Sequence, residues 1–445
     1  IRHTAIGKAL LFLTGLLVIG ALTLFLFVEP IEIAAWLANP DVILGMVVVN
    51  LVLLTVRLFS TEHAWWAGGG HRWFVALALA VIVAIPHVAI GWAGMETRGT
   101  LQRVFPEAPA AVAAPLPTTT TSTSSTTTTT APLELSPIRI APGQYEEDRI
   151  EASTTAGWAP FGEDRLNILL LGGDAGPGRG GLRTDTMIVA SVDPVSGDSA
   201  LVGVPRNYGG VRFTDDSPIP VQRLNHVYGW GTSHPDAFGG VDPGASAVVD
   251  AIQHITGLDI DHFVLVDLTG FSDMIDVFGG VRLVVPEPVD GPLYDPVSGG
   301  YEMVEIPAGN HHLDGDHALA YARARYGSSD YARMARQRCI LTSLAGQADP
   351  LEIFTRLPDV LSVVEENVST DIPAGTLPDL VRLLLSIDAS EIRVIGFDSS
   401  WSVGRTSDGH AIPDVERIRD AVRVTLDDPA SAADLGAAAA SESCG

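Results

Sequence analysis

Three apolar stretches near the amino-terminal end constrain this chain more than any other feature of its sequence. They cover residues 9–28, 42–58 and 73–92, and each approaches the ~20 residues that a helix needs to cross a bilayer. Arg57 and Arg72 flank the loop between the second and third stretches, whereas residues 29–41, between the first two, contain no Lys or Arg. By the positive-inside rule, the sequence predicts a cell-membrane protein. Residues 1–101 would form an anchor of three transmembrane helices, with the amino terminus in the cytoplasm and the carboxy-terminal domain outside it.

The charge balance excludes one class of partner and draws attention to arginine. A formal net charge of -26 disfavours a nucleic-acid partner, because binding a polyanion requires a basic surface. Lys8 is the only lysine, so the other basic residues are arginines, whose planar guanidinium binds two phosphate oxygens at once. A GC-rich genome is the simpler explanation of that composition, so only the positions of particular arginines can indicate an anion site. Two cysteines, Cys339 and Cys444, are too few for a disulfide scaffold, and whether they pair stays open.

The rest of the chain divides into a linker, a domain and a tail. Residues 102–160 are rich in Pro, Ala, Ser and Thr and predict a disordered linker, because they cannot bury enough apolar surface to fold. Short apolar runs then alternate with segments of helical periodicity, which predicts a three-layer α/β/α domain with a central mixed sheet over residues 161–400. Residues 401–445 are expected to form one helix, at 414–426, and a disordered tail. The predicted strands are residues 166–171, 186–192, 200–204, 262–268, 281–285 and 392–397, and the predicted helices are residues 245–256, 271–278, 317–322, 331–347 and 377–387.

Two aspartates follow neighbouring elements of this predicted sheet. Asp174 comes directly after the first strand, at the sheet edge where open α/β proteins place their ligands, and Asp185 lies at the start of the next strand. Together they could hold one Mg²⁺, which takes few protein carboxylates and leaves coordination positions for phosphate oxygens. A pair of turn or helix-cap aspartates is an equally good interpretation of the spacing alone.

Arginines cluster in the second half of the domain. Arg206 follows the third strand, but a single arginine at a strand end is usually a solvated charge. Arg323 and Arg325 stand at alternate positions, and the helix after Asp330 carries Arg333, Arg336 and Gln337 at i, i+3 and i+4. A solvated helix surface normally intersperses acids among such cations, and this helix has none between residues 331 and 348. The pattern therefore favours a bound anion, such as phosphate, over a solvated face.

Several short elements occur in a fixed order over residues 166–347. The order is more specific than any single element, and it resembles that of the LytR-CpsA-Psr family of cell-envelope transferases. The elements are Leu-Leu-Leu-Gly-Gly-Asp at the end of the first strand, Arg-Thr-Asp-Thr-Met around Asp185, Pro-Arg at Arg206, Arg223-Leu224-Asn225-His226, Gly270-Phe271, Gly279-Gly280-Val281, Leu313-Asp314-Gly315, Tyr-x-Arg-x-Arg from Tyr321, and the helix from Asp330 to Gln337.

The resemblance implies a membrane-anchored enzyme that moves an anionic glycopolymer from a polyprenyl-pyrophosphate carrier to a peptidoglycan hydroxyl, forming a phosphodiester. Asp174 and Asp185 would hold the Mg²⁺ cofactor, and Arg206, Asp185 and Arg323 would be the catalytic residues. The lipid tail of the carrier would lie in an apolar tunnel between sheet and helices. The pyrophosphate ligands that the resemblance implies are Arg183, Arg206, Arg223, Arg323, Arg325, Arg333, Arg336 and Gln337.

The sequence departs from the family pattern at three positions. Asn207 stands where the family usually has Asp, Arg223 where it often has Lys, and Ala332 where Gly commonly precedes the helical arginine. The change at Asn207 leaves open how Arg206 is oriented and whether a carboxylate there helps to deprotonate the acceptor.

Two other functions remain open from the sequence. A hydrolase would cleave the same pyrophosphate with water as acceptor, and a non-catalytic scaffold would bind lipid-linked intermediates for partner proteins. The acceptor hydroxyl could lose its proton to Asp185 or through a metal-activated path. The sequence does not identify the polymer, whose contacts are expected on the loops at residues 218–244 and 287–308.

Overall fold

The computed structural model describes residues 30–67, 69, 72–106, 164–175, 182–295, 298, 300–325, 329–347 and 356–427. The first predicted membrane span, most of the predicted linker, the loop at residues 176–181 and the tail after residue 427 lie outside the described residues. Cys339 is buried and disulfide-bonded. The chain's other cysteine, Cys444, lies outside the described residues.

The described residues contain eleven α-helices and twelve β-strands. The helices are α1 Pro30–Leu37, α2 Pro40–Ala67, α3 Trp73–Val104, α4 Val227–Ser233, α5 Pro243–Thr256, α6 Leu268–Val277, α7 Gly315–Arg323, α8 Asp330–Gln347, α9 Leu357–Asn367, α10 Leu377–Ser386 and α11 Val415–Asp427. The strands are β1 Leu166–Gly173, β2 Thr184–Val192, β3 Ser199–Gly203, β4 His262–Val266, β5 Val281–Val285, β6 Val289–Asp295, β7 Gly300–Ile306, β8 Gly309–Leu313, β9 Val368–Thr370, β10 Arg393–Gly396, β11 Ser402–Arg405 and β12 Ala411–Pro413.

Helices α2 and α3 are long and apolar enough to cross a membrane, with a mean hydropathy of 2.5 in each candidate span. Their apolar side chains are largely exposed, as a lipid-facing surface requires, and Trp92 is 70% exposed. The two helices pack against each other through a polar pair. The Asn50 amide donates to the His87 carbonyl at 2.7 Å, and its oxygen lies 2.6 Å from the His87 ring. This histidine, which follows Pro86 inside α3, is therefore a packed residue between the two helices.

A six-stranded mixed sheet in the order β10-β3-β2-β1-β4-β9 forms the centre of the domain. β2 runs antiparallel to both β1 and β3, whereas β4 is parallel to β1, and β10 is parallel to β3. The carboxyl ends of β1, β3 and β4 consequently meet at one edge, together with the start of β2. The predicted mixed sheet is confirmed, and five of its six strands are short apolar runs predicted from the sequence. The exception is β9, which was not predicted, and the predicted strand at residues 281–285 is β5, which lies outside this sheet.

Helices cover both faces of this sheet. Leu169 and Val189 face a core that contains α5 and α11, whereas Ile168 and Val192 face a second core that contains α10. The sequence specifies α5 through its ends as well as its apolar face. Asp242 accepts hydrogen bonds from the first amides of the helix, and the helix stops at Gly257, which adopts a φ of 73°.

A third cluster of elements extends the domain beyond the predicted sheet. The pairs β5–β8 and β6–β7 pack with α7 and α8 around buried side chains such as Ile275, Tyr321 and Ile340. The β6–β7 hairpin lies where the sequence predicted a variable loop. Its side chains are half-buried or exposed at most positions, so the apolar run that marks a central strand is absent there.

The membrane-proximal helices contact the domain directly. Glu365 on α9 accepts hydrogen bonds from Thr100 at 2.9 Å and from Arg103 at 3.0 Å, both near the end of α3. Arg382 on α10 forms a two-point ion pair with Glu32 of α1, at 3.0 and 2.9 Å. The domain is thus docked on these helices by contacts that are separate from the peptide connection between them.

Candidate functional site

A cavity of about 800 Å³ opens at the sheet edge where β1, β3 and β4 end. One part of its wall is polar and contains every predicted site residue except Arg336. The rest is largely apolar. The polar wall consists of Asp174, Arg183, Asp185, Arg206, Arg223, Asn225, Arg323, Arg325, Arg333 and Gln337, and the apolar wall includes Leu170, Ile188, Val264, Val266, Phe271, Leu319, Ala322 and Leu341.

Arg206 is held between two carboxylates at this edge. Its guanidinium contacts Asp185 and makes a two-point interaction with Asp330 at 3.3 and 3.4 Å, and its side chain is only 12% exposed. Burial lowers the pKa of Arg206, but the charges of the two carboxylates raise the pKa above its usual value overall. The side chain is therefore a fixed, permanently charged donor.

Asp185 is charged for a related reason. Burial raises the pKa of its carboxyl, but the charge of Arg206 and the hydrogen bonds from Asn225 and Arg206 outweigh this effect and leave the pKa below its ordinary value. The Asn225 amide donates to Asp185 at 3.0 Å. At neutral pH this carboxylate can accept hydrogen bonds or bind a cation.

Asp330 connects three arginines, but it was not predicted as a site residue, because the sequence identified it only by its position before the helix that carries Arg333. Its carboxylate lies 3.3 Å from Arg206, 3.5 Å from Arg325 and 3.3 Å from Arg333, and it is 14% exposed. Arg333 lies three residues along the same helix, a spacing visible in the sequence, but Arg206 is 124 residues away. Asp330 fixes the positions of guanidinium groups that come from three separate segments.

Arg333 is the most buried of the clustered arginines, with 4% of its side chain exposed. Burial, and then the nearby charge of Arg206, lowers its pKa to about 10, so it remains charged at neutral pH. Within the described part of the chain, its Nε and the Oε1 of Gln337 have no hydrogen-bond partner. A buried guanidinium with an unsatisfied donor is suited to binding an anion.

Arg336 does not reach the cavity. It is buried and donates hydrogen bonds to the carbonyls of Tyr321, at 3.2 Å, and Ala324, which lie at the end of α7. The three residues predicted at i, i+3 and i+4 of this helix do not all face the cavity. Residues 333 and 337 point to the cavity, whereas residue 336 points toward α7. Arg336 thus adds donors at the end of α7, where the Tyr321 carbonyl also accepts from the Ala324 amide at 3.3 Å.

The β6–β7 hairpin adds a part of the wall that the sequence did not specify. Tyr301 on β7 lies under the guanidinium of Arg323, 4.7 Å from ring centre to carbon, in a cation–π arrangement. Pro292 and Met303 from the same hairpin also line the cavity. The hairpin therefore holds a predicted catalytic arginine over the boundary between the polar and apolar parts.

The two predicted metal ligands share this cavity. Asp174 is 5% exposed, and its carboxylate accepts from the Arg183 amide at 2.7 Å and contacts the Arg183 side chain at 3.2 Å. No group of three or more His, Cys, Asp or Glu suitable for a metal occurs within the described ranges. Two carboxylates fit a Mg²⁺ shared with phosphate oxygens and water, but they do not make a closed protein cage.

The model of the LytR_cpsA_psr family matches residues 142–420, which is more than half of the chain. The chain belongs to the LytR_cpsA_psr family. Relatives from Enterococcus faecalis and Halalkalibacterium halodurans are each named polyisoprenyl-teichoic acid–peptidoglycan teichoic acid transferase TagU. They are 27% and 30% identical to this chain, over 47% of it and 62% of the relative in both cases, so the match spans less than two thirds of their length.

Solved structures of LytR_cpsA_psr proteins are similar as well. Bacillus subtilis TagV is 25% identical with a TM-score of 0.45, covering 60% of this chain and 98% of TagV. A structure described as TagT bound to LIIa-WTA is 17% identical with a TM-score of 0.43, and the match covers 59% of this chain and 91% of TagT.

Two departures from the LytR_cpsA_psr pattern can now be placed. Arg206 is oriented by Asp185 and Asp330, so the Asp that Asn207 replaces is not needed to hold it. Arg223 lines the cavity, and its guanidinium lies 3.2 Å from the His226 ring. Burial, and then the charge of Arg223, lowers the pKa of His226. The ring is therefore neutral at neutral pH and can accept a hydrogen bond from Arg223.

Proposed function

We propose that this protein transfers an anionic glycopolymer from a polyprenyl-pyrophosphate carrier to a hydroxyl of peptidoglycan, forming a phosphodiester. The observation that carries the proposal is the single cavity that joins an apolar wall to a cluster of arginines. A lipid pyrophosphate needs both surfaces next to each other. The family membership and the names of the TagU relatives support the same reaction.

Each part of the cavity has a role in this proposal. The apolar wall takes the polyprenyl chain, and the predicted arginines with Gln337 bind the pyrophosphate. Arg336 is not assigned to the ligand, because its donors already face backbone carbonyls. Asp174 and Asp185 would hold Mg²⁺, which when bound would neutralise part of the phosphate charge.

The chemistry is an in-line displacement at phosphorus. The acceptor oxygen forms a bond to the phosphorus that carries the polymer, the bond from that phosphorus to the bridging oxygen breaks, and polyprenyl phosphate leaves with the electron pair. Arg206, Arg323 and Arg333 stabilise the charge that develops on the phosphate oxygens. The hydroxyl proton passes to Asp185 or to solvent.

The same proposal places the protein in the cell membrane. Helices α2 and α3, which are long and apolar enough to cross a membrane, would be its spans, and the domain would follow α3 on the extracytoplasmic side, where peptidoglycan lies. Arg57 in the second half of α2 and Arg72 just before α3 support this orientation.

The test uses the full chain in detergent with a labelled lipid-linked polymer, with and without peptidoglycan. We expect polymer to become attached to peptidoglycan, and Arg206→Ala or Arg323→Ala to lower the rate by roughly 10² or more, as loss of one preorganised donor does. Arg423→Ala is the matched control, because Arg423 is 65% exposed on α11. Release of polymer phosphate into water without attachment would indicate a hydrolase, and binding without turnover would indicate a scaffold.

A further inference from the structure

Tyr301 on β7 contacts a predicted catalytic arginine through the face of its ring. The guanidinium carbon of Arg323 lies 4.7 Å from the ring centre, and both residues line the cavity at the sheet edge. Three other arginines of the cavity wall contact the carboxylate of Asp330, whose oxygens accept from guanidinium N–H groups. An aromatic face attracts the same charge without using those N–H donors. The Tyr301 contact therefore does not compete with phosphate oxygens for the donors of Arg323.

The backbone of the β6–β7 hairpin is fixed against the helix that ends in Arg323. Gly291 of β6 lies so close to α7 that a Cβ at this position would overlap the backbone of Ala320. Gly291 also pairs with Val304 of β7, and Val304 packs against the same core as α7. Because Ala320 lies about one helical turn before Arg323, the hairpin and the arginine are held in a fixed relation to each other.

The ring of Tyr301 is itself held by an aromatic neighbour on the paired strand. Tyr294 is directly opposite Tyr301 in the β6–β7 register, and the two ring centres lie 5.5 Å apart at an angle of 62°. Aromatic pairs in this edge-to-face geometry add stability beyond their buried area. Tyr301 is 38% exposed, so its ring does not fill a core. Its contact with Arg323 is better explained by a role in orienting the guanidinium.

We propose that Tyr301 is a positioning residue for Arg323, whose guanidinium it holds where the polar and apolar walls of the cavity meet. A lipid pyrophosphate changes from charged to apolar at the same boundary, and this choice of ligand rests on the transferase function proposed above. An arginine side chain has many rotamers, so fixing one of them before the ligand arrives lowers the entropic cost of binding. Tyr301 acts through Arg323, and it requires its ring but not its hydroxyl.

A double-mutant cycle in the full chain in detergent tests this role. The variants are Tyr301→Leu, which removes the ring, Tyr301→Phe, which keeps it, and Tyr301→Leu combined with Arg323→Ala. Calorimetry measures the affinity for inorganic pyrophosphate, and the transfer assay gives kcat/KM. We expect Tyr301→Leu to lower both quantities about 3- to 30-fold, as loss of a cation–π contact does, and Tyr301→Phe to stay within about twofold of the wild type. In the Arg323→Ala background, Tyr301→Leu should cause no further loss.

Glu302→Gln is the matched control, because Glu302 neighbours Tyr301 on β7 and alternate side chains of a strand point to opposite faces. An equal loss from Tyr301→Leu with and without Arg323, or a loss in Tyr301→Phe as large as in Tyr301→Leu, would overturn the positioning role. If pyrophosphate binding shows the expected pattern but no polymer is transferred, the positioning role stands and the transferase function fails. If polymer is transferred and Tyr301→Leu matches the wild type in rate and affinity, the positioning role fails alone.

Discussion

Asp330 offers the sharpest test of how this site is held together. The change Asp330→Asn keeps the size of the side chain and removes the charge that faces Arg206, Arg325 and Arg333. The Arg206 and Arg333 side chains are 12% and 4% exposed, so water cannot replace the lost partner. Removing one partner from a buried ion pair costs roughly 3–5 kcal/mol. For Asp330→Asn we expect a loss of about 3 kcal/mol in the free energy of unfolding, because Asp185 still balances part of the charge.

The assay is thermal unfolding of the full chain in detergent, followed by a probe in the domain. For a domain of this size, about 3 kcal/mol lowers Tm by roughly 6–12 °C. Asp420→Asn is the matched control, because Asp420 pairs with Arg423 at 3.1 Å but is 74% exposed, and such pairs contribute little. Inorganic pyrophosphate should raise the Tm of Asp330→Asn more than that of the wild type, since phosphate oxygens can replace the carboxylate. A Tm for Asp330→Asn within about 2 °C of the control would refute the reasoning.

Four further outcomes follow from the same geometry. A chelator should stop transfer and Mg²⁺ should restore it, and Asp174→Asn should raise the Mg²⁺ concentration for half-maximal rate about 10-fold or more. Because the folded-state pKa of Asp185 lies below its ordinary value, its stabilising effect is complete at pH 6 and is lost as pH falls below about 4, so the Tm difference between wild type and Asp185→Asn should shrink there. Arg336→Ala should lower stability by roughly 1–3 kcal/mol, measured as a lower Tm, without weakening pyrophosphate binding. Val264→Trp should fill part of the cavity along its apolar wall and abolish binding of the lipid pyrophosphate, while inorganic pyrophosphate still binds.

Much of the fold follows from local sequence signals. β1, β2 and β3 each contain a mostly buried apolar run, at residues 168–171, 187–190 and 200–202, and such runs are recognisable without knowledge of their neighbours. The β6–β7 hairpin has no such run, since Val289–Asp295 contains a Gly-Pro pair and few buried positions. Helix α9 and the β11–β12 pair were likewise not predicted. α9 packs against α3 and α6, and Ala411 of β12 is buried in the core that contains α5 and α11.

Some residues of the candidate site could likewise be predicted from the sequence, and others could not. The strand-end residues Asp174, Asp185 and Arg206 could be predicted to meet, because the sheet topology brings those ends together. The role of Asp330 could not, since its partner Arg206 is far away in the chain. Helical spacing placed Arg336 beside Arg333, but a difference of one residue from Gln337 decides which side chain faces the cavity and which faces the end of α7.

In the membrane topology proposed above, the contact between α3 and Glu365 sets how far the site stands from the bilayer. A helix rises 1.5 Å per residue, so with Trp92 at the level of the lipid headgroups, Arg103 lies about 16 Å above them. Helix α9, which receives that contact, packs against α6, and Phe271 of α6 lines the cavity. The length of a rigid helix, and not the reach of a loose tether, would then determine the height at which the arginines meet their substrate. Adding or removing one helical turn before Thr100 would move the whole domain by about 5 Å relative to the membrane surface.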